Sequence, residues 1–254
     1  MLYEKKADEK KYFMFDRYTT YHTYDPLPHY HSSIEIFIVE KGEYWVTVSG
    51  DKRRLKAGDI AFIDRFTPHT SGSVDRDSEL SLYVLVVGEE YFDNVRWLDR
   101  QTLTAFTEKR DGFDNILALT KLAYSISDKM DDDTKSGFFQ MLIGLLRGYA
   151  SIQDKSKERG NHVAIEIMKY VSASYRERIT LEGLAAKFGY EKTYLSKMIN
   201  AAFGMNLREY LNRVRISAAM TEKQNNPDKA IYRIAEECGF GSEVTYYRTL
   251  RRYR

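Results

Sequence analysis

TLEGLAAKFGYEKTYLSKMINAAFG (residues 180–204) decides the reading of this chain. A helix-turn-helix needs a small residue where its helices cross, a glycine tolerant of positive φ in the turn, and apolar residues at fixed offsets gluing both helices to a core. Ala185, Gly189 and the set Leu181, Leu184, Phe188, Tyr190, Leu195 and Met198 meet those demands. Fifty residues on, IYRIAEECGFGSEVTYYRTLRRY (231–253) repeats the pattern with Ile231, Ile234, Ala235, Gly239 and Phe240, then Tyr246, Thr249 and Leu250 after one extra residue. Between the units, Leu207, Tyr210, Leu211, Val214 and Ala218 step by three and four, which predicts a connecting helix that starts at Asn206. Two such units on one rigid helix can lay two recognition helices into successive major-groove faces of one duplex, about 34 Å apart.

Removing the core set leaves Lys192, Thr193, Ser196, Lys197 and Asn200 on the second helix of the first unit. On the second unit it leaves Ser242, Glu243, Thr245, Tyr247, Arg248, Arg251 and Arg252. Cations and hydrogen-bonding groups of this kind suit phosphates and base edges, and arginine at position 248 can take guanine in a bidentate pair. Either face alone would pass as an ordinary solvated helix surface; the duplication argues against that. Charge agrees: residues 161–254 hold 16 Lys+Arg against 10 Asp+Glu, net +6, while the rest of the chain is net −4.

Leu181, Leu184-Ala185, Gly189, Tyr194-Leu195, Phe203-Gly204, Tyr210-Leu211, Arg215-Ile216, Ala219, Ile234-Ala235-Glu236-Glu237 and Gly239-Phe240 make residues 162–253 resemble the paired helix-turn-helix domain of the AraC/XylS family of bacterial transcription regulators. The resemblance implies a sequence-specific DNA-binding regulator without enzymatic activity, with a double-stranded DNA operator as partner. It also implies that Thr193, Ser196 and Lys197, and Glu243, Thr245, Tyr247 and Arg248, face DNA. Three departures stand out. Glu191 replaces the usual Ser or Thr cap, Glu222-Lys223 replace paired leucines before NNPDKA, and the sequence given stops at Arg254 short of the family's last helix. The expectation is a looser junction between the units and, from the second, DNA contacts weaker than that of Lys197.

The first ninety residues have a different texture. Ile34–Val39, Tyr44–Val48, Lys52–Leu55, Ile60–Ile63 and Leu80–Val87 are candidate strands broken by short Gly, Asp and Ser turns, which favours a sandwich or small barrel. His29-Tyr30-His31, Glu35, Gly42 and then Pro68-His69 give the spacing HxHxxxEx6G followed by PH, which resembles the cupin motif pair. Residues 29, 31 and 35 share strand parity, so two imidazoles and a carboxylate are expected on one face with His69 joining them. Two readings follow: a metal-free effector pocket lined by Tyr24, His29, His31, Glu35 and His69, with Trp45 a further candidate, or a metal-dependent cupin enzyme that uses the same three His and one Glu as ligands. The first is preferred because a DNA module is attached, so no cofactor is expected. The effector is then a small molecule, with a sugar the class that resemblance to sugar-responsive members suggests. The tyrosine-rich arm from Tyr3 to Tyr21 is either a lid or an edge strand.

After Gly88, Ile116, Leu119, Leu122, Ala123 and Ile126 form one helical stripe, and Phe138, Leu142, Leu145, Leu146 and Tyr149 another, with Asp131 to Thr134 opening the second helix. A helical hairpin on the barrel is expected, and the second stripe is a candidate homodimer contact. SIQDKSKERGN (151–161) reads as linker. The expected organisation is α+β: a cupin-like sensor barrel over 1–90, a helical dimerisation segment over 91–153, a linker over 154–161 and the paired helix-turn-helix domain over 162–254. With 254 residues, 43% hydrophobic and 30% charged, the chain has material for two ordinary cores and excludes disorder or a disulfide-stapled miniprotein. One cysteine, no signal-like apolar start and no run of 18 apolar residues predict a cytoplasmic protein with no membrane partner.

Overall fold

The computed structural model describes residues 11–19, 27–73, 79–92, 94–155 and 159–252. Its amino-terminal half is a two-sheet barrel. Strands β1 (Phe13–Tyr18), β2 (Ile34–Lys41), β3 (Glu43–Val48), β4 (Asp51–Lys56), β5 (Ile60–Ile63), β6 (His69–Ser73), β7 (Ser81–Val87), β8 (Gln101–Leu103) and β9 (Phe106–Thr107) follow in chain order. One sheet runs β1-β7-β2-β5-β9 and the other β4-β3-β6. Residues 34–39 of β2 and the whole of β7 are buried because both of their faces are covered. Ile34, Ile36 and Ile38 pack outward with Leu85 and Val87 against the helical hairpin, while Phe37 and Val39 pack inward with Val84 and Val86 against Tyr44, Val46 and Val48 of β3. That parity sets Glu35 among the inward-facing residues. Of the amino-terminal arm, Phe13–Tyr18 pairs antiparallel with β7 as an edge strand; residues 3–10, 20 and 21 of the arm, and Tyr24, lie outside the described residues.

Helices α1 (Phe113–Ser125) and α2 (Asp132–Tyr149) form the hairpin, and Asp131 caps α2 by accepting from the Thr134 amide at 2.8 Å. Ile116, Ala123, Phe138, Leu142, Leu146 and Tyr149 are buried as expected. Leu122 (63% exposed), Ile126 and Leu145 are not. Helix α1 turns the flank of its stripe to solvent, since Phe113, Ile116, Thr120 and Ala123 already complete the contact with the barrel. The expected linker is also partly structured. Ile152–Asp154 (β10) pairs with β8, and helix α3 (Arg159–Ser174) starts inside the polar stretch. Backbone pairing of β10 needs no apolar side chains, so composition gave no sign of it.

The carboxyl-terminal half is helical: α3, then α4 (Leu181–Phe188), α5 (Lys192–Phe203), α6 (Leu207–Asn225), α7 (Ile231–Glu237) and α8 (Glu243–Arg252). Two cores form, one per helix-turn-helix. Ile167, Met168, Val171, Leu184, Leu195, Ile199, Phe203 and Tyr210 build the first, and Ile216, Ala219, Ile234, Ala235, Phe240 and Tyr246 the second. Tyr190, expected in the core, is exposed and stacks on Tyr194 at 5.6 Å. Gly189 caps α4 in the left-handed region (φ 72°) and the chain leaves the helix there, carrying the Tyr190 ring away from the core. Leu27 and Tyr30, from the segment that enters the barrel, belong to the first helical core. Among the described residues, no helix is long and apolar enough to cross a membrane.

Candidate functional site

Two recognition helices emerge from these cores. Helix α5 buries Leu195, Met198, Ile199, Ala202 and Phe203, which turns Lys192, Thr193, Lys197 and Asn200 to solvent with Ser196 half-buried beside them. Residues 193, 196, 197 and 200 therefore form one polar stripe at helical spacing. Glu191 does cap this helix: its carboxylate accepts from the Tyr194 amide at 2.9 Å, and the hydrogen bonds from the first turn hold it below the usual carboxylate range. The extra methylene reaches where Ser or Thr would, so this departure costs no cap. Lys192 pairs with Glu182 at 2.5 Å, both side chains exposed.

Helix α8 buries Tyr246 and Thr249 and exposes Glu243, Tyr247, Arg248, Arg251 and Arg252, with Thr245 half-buried. Ser242 accepts from the Thr245 amide at 3.2 Å, and its hydroxyl lies 3.0 Å from that of Thr245. The junction between the units is tied by charge rather than by leucines. Lys229 bridges Glu222 and Glu237, both at 2.6 Å, and Lys223 donates to the carbonyls of Pro227 and Lys229. These bonds take the place of the missing apolar pair, against the expected loose junction. A further clamp went unread in the sequence: Arg215 on α6 donates to the carbonyls of Tyr175 and Glu177, each at 2.7 Å. Gly239 (φ 83°) packs on the same loop, where a β-carbon would lie 2.9 Å from backbone atoms of Tyr175 and Arg176. Both units are thereby indexed to one segment between α3 and α4.

The barrel residues converge as expected, by a different path. His29 and His31 do not share a continuous strand with Glu35; a bend at 32–33 intervenes, and His29 is instead bridged to His69 by backbone hydrogen bonds of 2.8 and 2.9 Å. The Nε2 atoms of His31 and His69 lie 3.0 and 2.9 Å from the same Glu35 oxygen. One ligand atom from each of His29, His31, Glu35 and His69 lies within 4.8 Å of the other three. Burial alone would push the Glu35 carboxyl up, but the hydrogen bonds with His31 and His69 outweigh it and hold it below the ordinary range. Burial of its ring, reinforced by the charge of His69, brings His29 down to about 3. Trp45 is not part of this wall: β3 buries its even residues, and Trp45 points out under Lys52. The inward aromatic is Tyr44, whose phenol is raised by burial and, further, by the charge of Glu35.

Residues 184–254 match the family model described as a helix-turn-helix domain, and residues 21–87 that of a cupin domain. This is the architecture of an AraC-family regulator. HTH-type transcriptional activator RhaS of Pectobacterium atrosepticum is 24% identical over 232 residues, 87% of this chain and 81% of the relative. Uncharacterized HTH-type transcriptional regulator YisR of Bacillus subtilis is 30% identical over 116 residues, 46% of this chain and 39% of the relative. Among solved structures, ToxT from Vibrio cholerae aligns over 95% of this chain and 94% of its own, at 15% identity and a TM-score of 0.49.

Proposed function

We propose that this AraC-family chain is a cytoplasmic, non-catalytic regulator of transcription that reads two adjacent segments of duplex DNA and responds to a small-molecule effector taken up in its barrel. The observation that carries the DNA half is the pair of exposed polar faces, Lys192, Thr193, Ser196, Lys197 and Asn200 on α5 and Glu243, Thr245, Tyr247 and Arg248 on α8, each held on a buried core and joined by α6. The effector half draws on His29, His31, Glu35 and His69; a sugar is the ligand class to test first there. Footprinting on a duplex selected from a random library is expected to protect two segments about one helical turn apart. Protection of a single segment would mean that only one unit binds, and absence of any selected sequence would refute the proposal.

Homodimerisation through residues 91–153 belongs to the same proposal. Met141 (60% exposed) and Leu145 (37%) stand four residues apart on α2, on the side away from the barrel contact made by Phe138, Leu142 and Leu146. Leu145→Glu is expected to leave melting unchanged and to shift the protein to monomer in sedimentation, with operator affinity falling at least tenfold as the second subunit's contacts are lost. A dimer of unchanged strength would move the contact elsewhere.

A further inference from the structure

Strand β4 reads DKRRLK and exposes Lys52, Arg53, Arg54 and Lys56, although the chain outside residues 161–254 is net −4. It is an edge of the β4-β3-β6 sheet, where cations ordinarily block pairing with another chain. That role needs no particular neighbour, yet this strand has one. Trp45 and Thr47 of β3 point out of the barrel, and the antiparallel register sets Lys52 opposite Thr47 and Arg54 opposite Trp45 on that outer face. A β-carbon placed on Gly204, in the turn after α5, would meet the Thr47 methyl at 3.7 Å, and one placed on Gly50 would overlap the Ala201 carbonyl. The outer face of the sheet therefore begins at the end of the first recognition helix. Lys52 stands at that end, and Lys56 about 13 Å further along the strand.

Helix α5 carries this seam to the groove. Ala201 is exposed and stands one turn beyond Lys197 on the same row of the helix. A helix about 10–12 Å across fills a major groove about 12 Å wide, so what lies beside it meets the sugar-phosphate backbone and not the base edges. Lys52 suits that place. Its ammonium lies over the Trp45 ring at 5.0 Å, which holds the side chain without neutralising its charge. Arg54 pairs instead with Glu43, and Arg53 turns to the opposite face with Asp51 and the Phe106 ring.

We propose that the barrel itself is part of the DNA interface, Lys52 binding a backbone phosphate beside the segment read by α5, with Arg54 restrained from the same role by Glu43. This rests on the regulator reading above and adds to it a sequence-independent contact, one that fixes the register of α5 without reading a base. A lysine that displaces counterions from DNA shows itself in the salt dependence of binding.

The test uses the full chain and the duplex selected for it. Lys52→Gln is expected to lower affinity evenly across sequences and to reduce the slope of log affinity against log salt by about 1. Phosphate-ethylation interference beside the α5 segment is expected to weaken in the same variant, whose melting stays cooperative and unshifted because the side chain is exposed. Lys56→Gln removes an equal charge from the same face and should leave both slope and interference unchanged. Glu43→Gln releases Arg54 and should steepen the slope. If Lys52→Gln and Lys56→Gln behave alike, the cations serve only as edge protection or as a general field, and the proposal fails. It fails too if Lys52→Gln raises affinity, since the barrel then obstructs the groove. A full chain that selects no duplex at all defeats the regulator reading, and this contact with it.

Discussion

Gly50→Ala is expected to open the seam between the barrel and the first helix-turn-helix while leaving each half folded. Gly50 lies in the β3–β4 turn at φ 81°, where an alanine is strained by about 1–3 kcal/mol before any contact is counted. Its new methyl would overlap the Ala201 carbonyl near the end of α5 and lie 3.3 Å from the Gly204 amide. These are backbone atoms at the end of a packed helix, so no side chain can swing aside; the relief available is to separate the surfaces. Differential melting is expected to split or fall by several degrees, and hydrogen exchange to rise at Ala201–Gly204 and at Tyr30, with the inner barrel strands unchanged. Gly144→Ala on α2, where an added β-carbon meets nothing within 4 Å, is the control and should stabilise slightly. Unaltered melting and exchange in Gly50→Ala would mean that the barrel turn does not rest on α5.

Much of this was legible because its determinants are local. The turn glycines at 189 and 239, the small residues 185 and 235 and the buried Leu195 and Tyr246 lie within one helix pair each, where spacing alone fixes geometry. The histidines were legible from their motif spacing, although a bend at 32–33 separates His29 and His31 from the strand that carries Glu35. What escaped depended on long-range partners. A register shift between Val39 and Lys41 precedes β3, so counting along the sequence could not say which of Tyr44 and Trp45 faces inward. Tyr30 reads as an ordinary tyrosine until the fold brings it into one core with Tyr210 of α6, away from its neighbours His29 and His31. Glu222 and Lys223 looked like lost leucines, because the partner that makes them a junction, Lys229, joins Glu222 to Glu237 in the next helix.

Lys197→Ala is expected to weaken operator binding by about 1–3 kcal/mol if the lysine reads a base edge, roughly 5- to 150-fold in affinity. Lys197 is exposed on α5 between Thr193 and Asn200, and its neighbours Met198 and Ile199 anchor the helix, so removing the side chain leaves fold and orientation intact. Alanine also favours the helix, which excludes unfolding as the cause of any loss. Arg248 stands in the equivalent place on α8, and its forked guanidinium can take guanine N7 and O6 together, so Arg248→Ala should relax preference at one base position. The two substitutions lie on separate cores and should add. Lys192→Ala should do less, because that ammonium is already shared with Glu182 and must leave it to reach DNA. Salt separates the roles: a lost phosphate contact lowers affinity evenly across sequences and reduces the slope of log affinity against log salt by about 1, whereas a lost base contact changes which sequence is preferred. If neither affinity nor preference moves in Lys197→Ala, the exposed stripe of α5 is a solvated surface, and DNA recognition by the first unit falls with it.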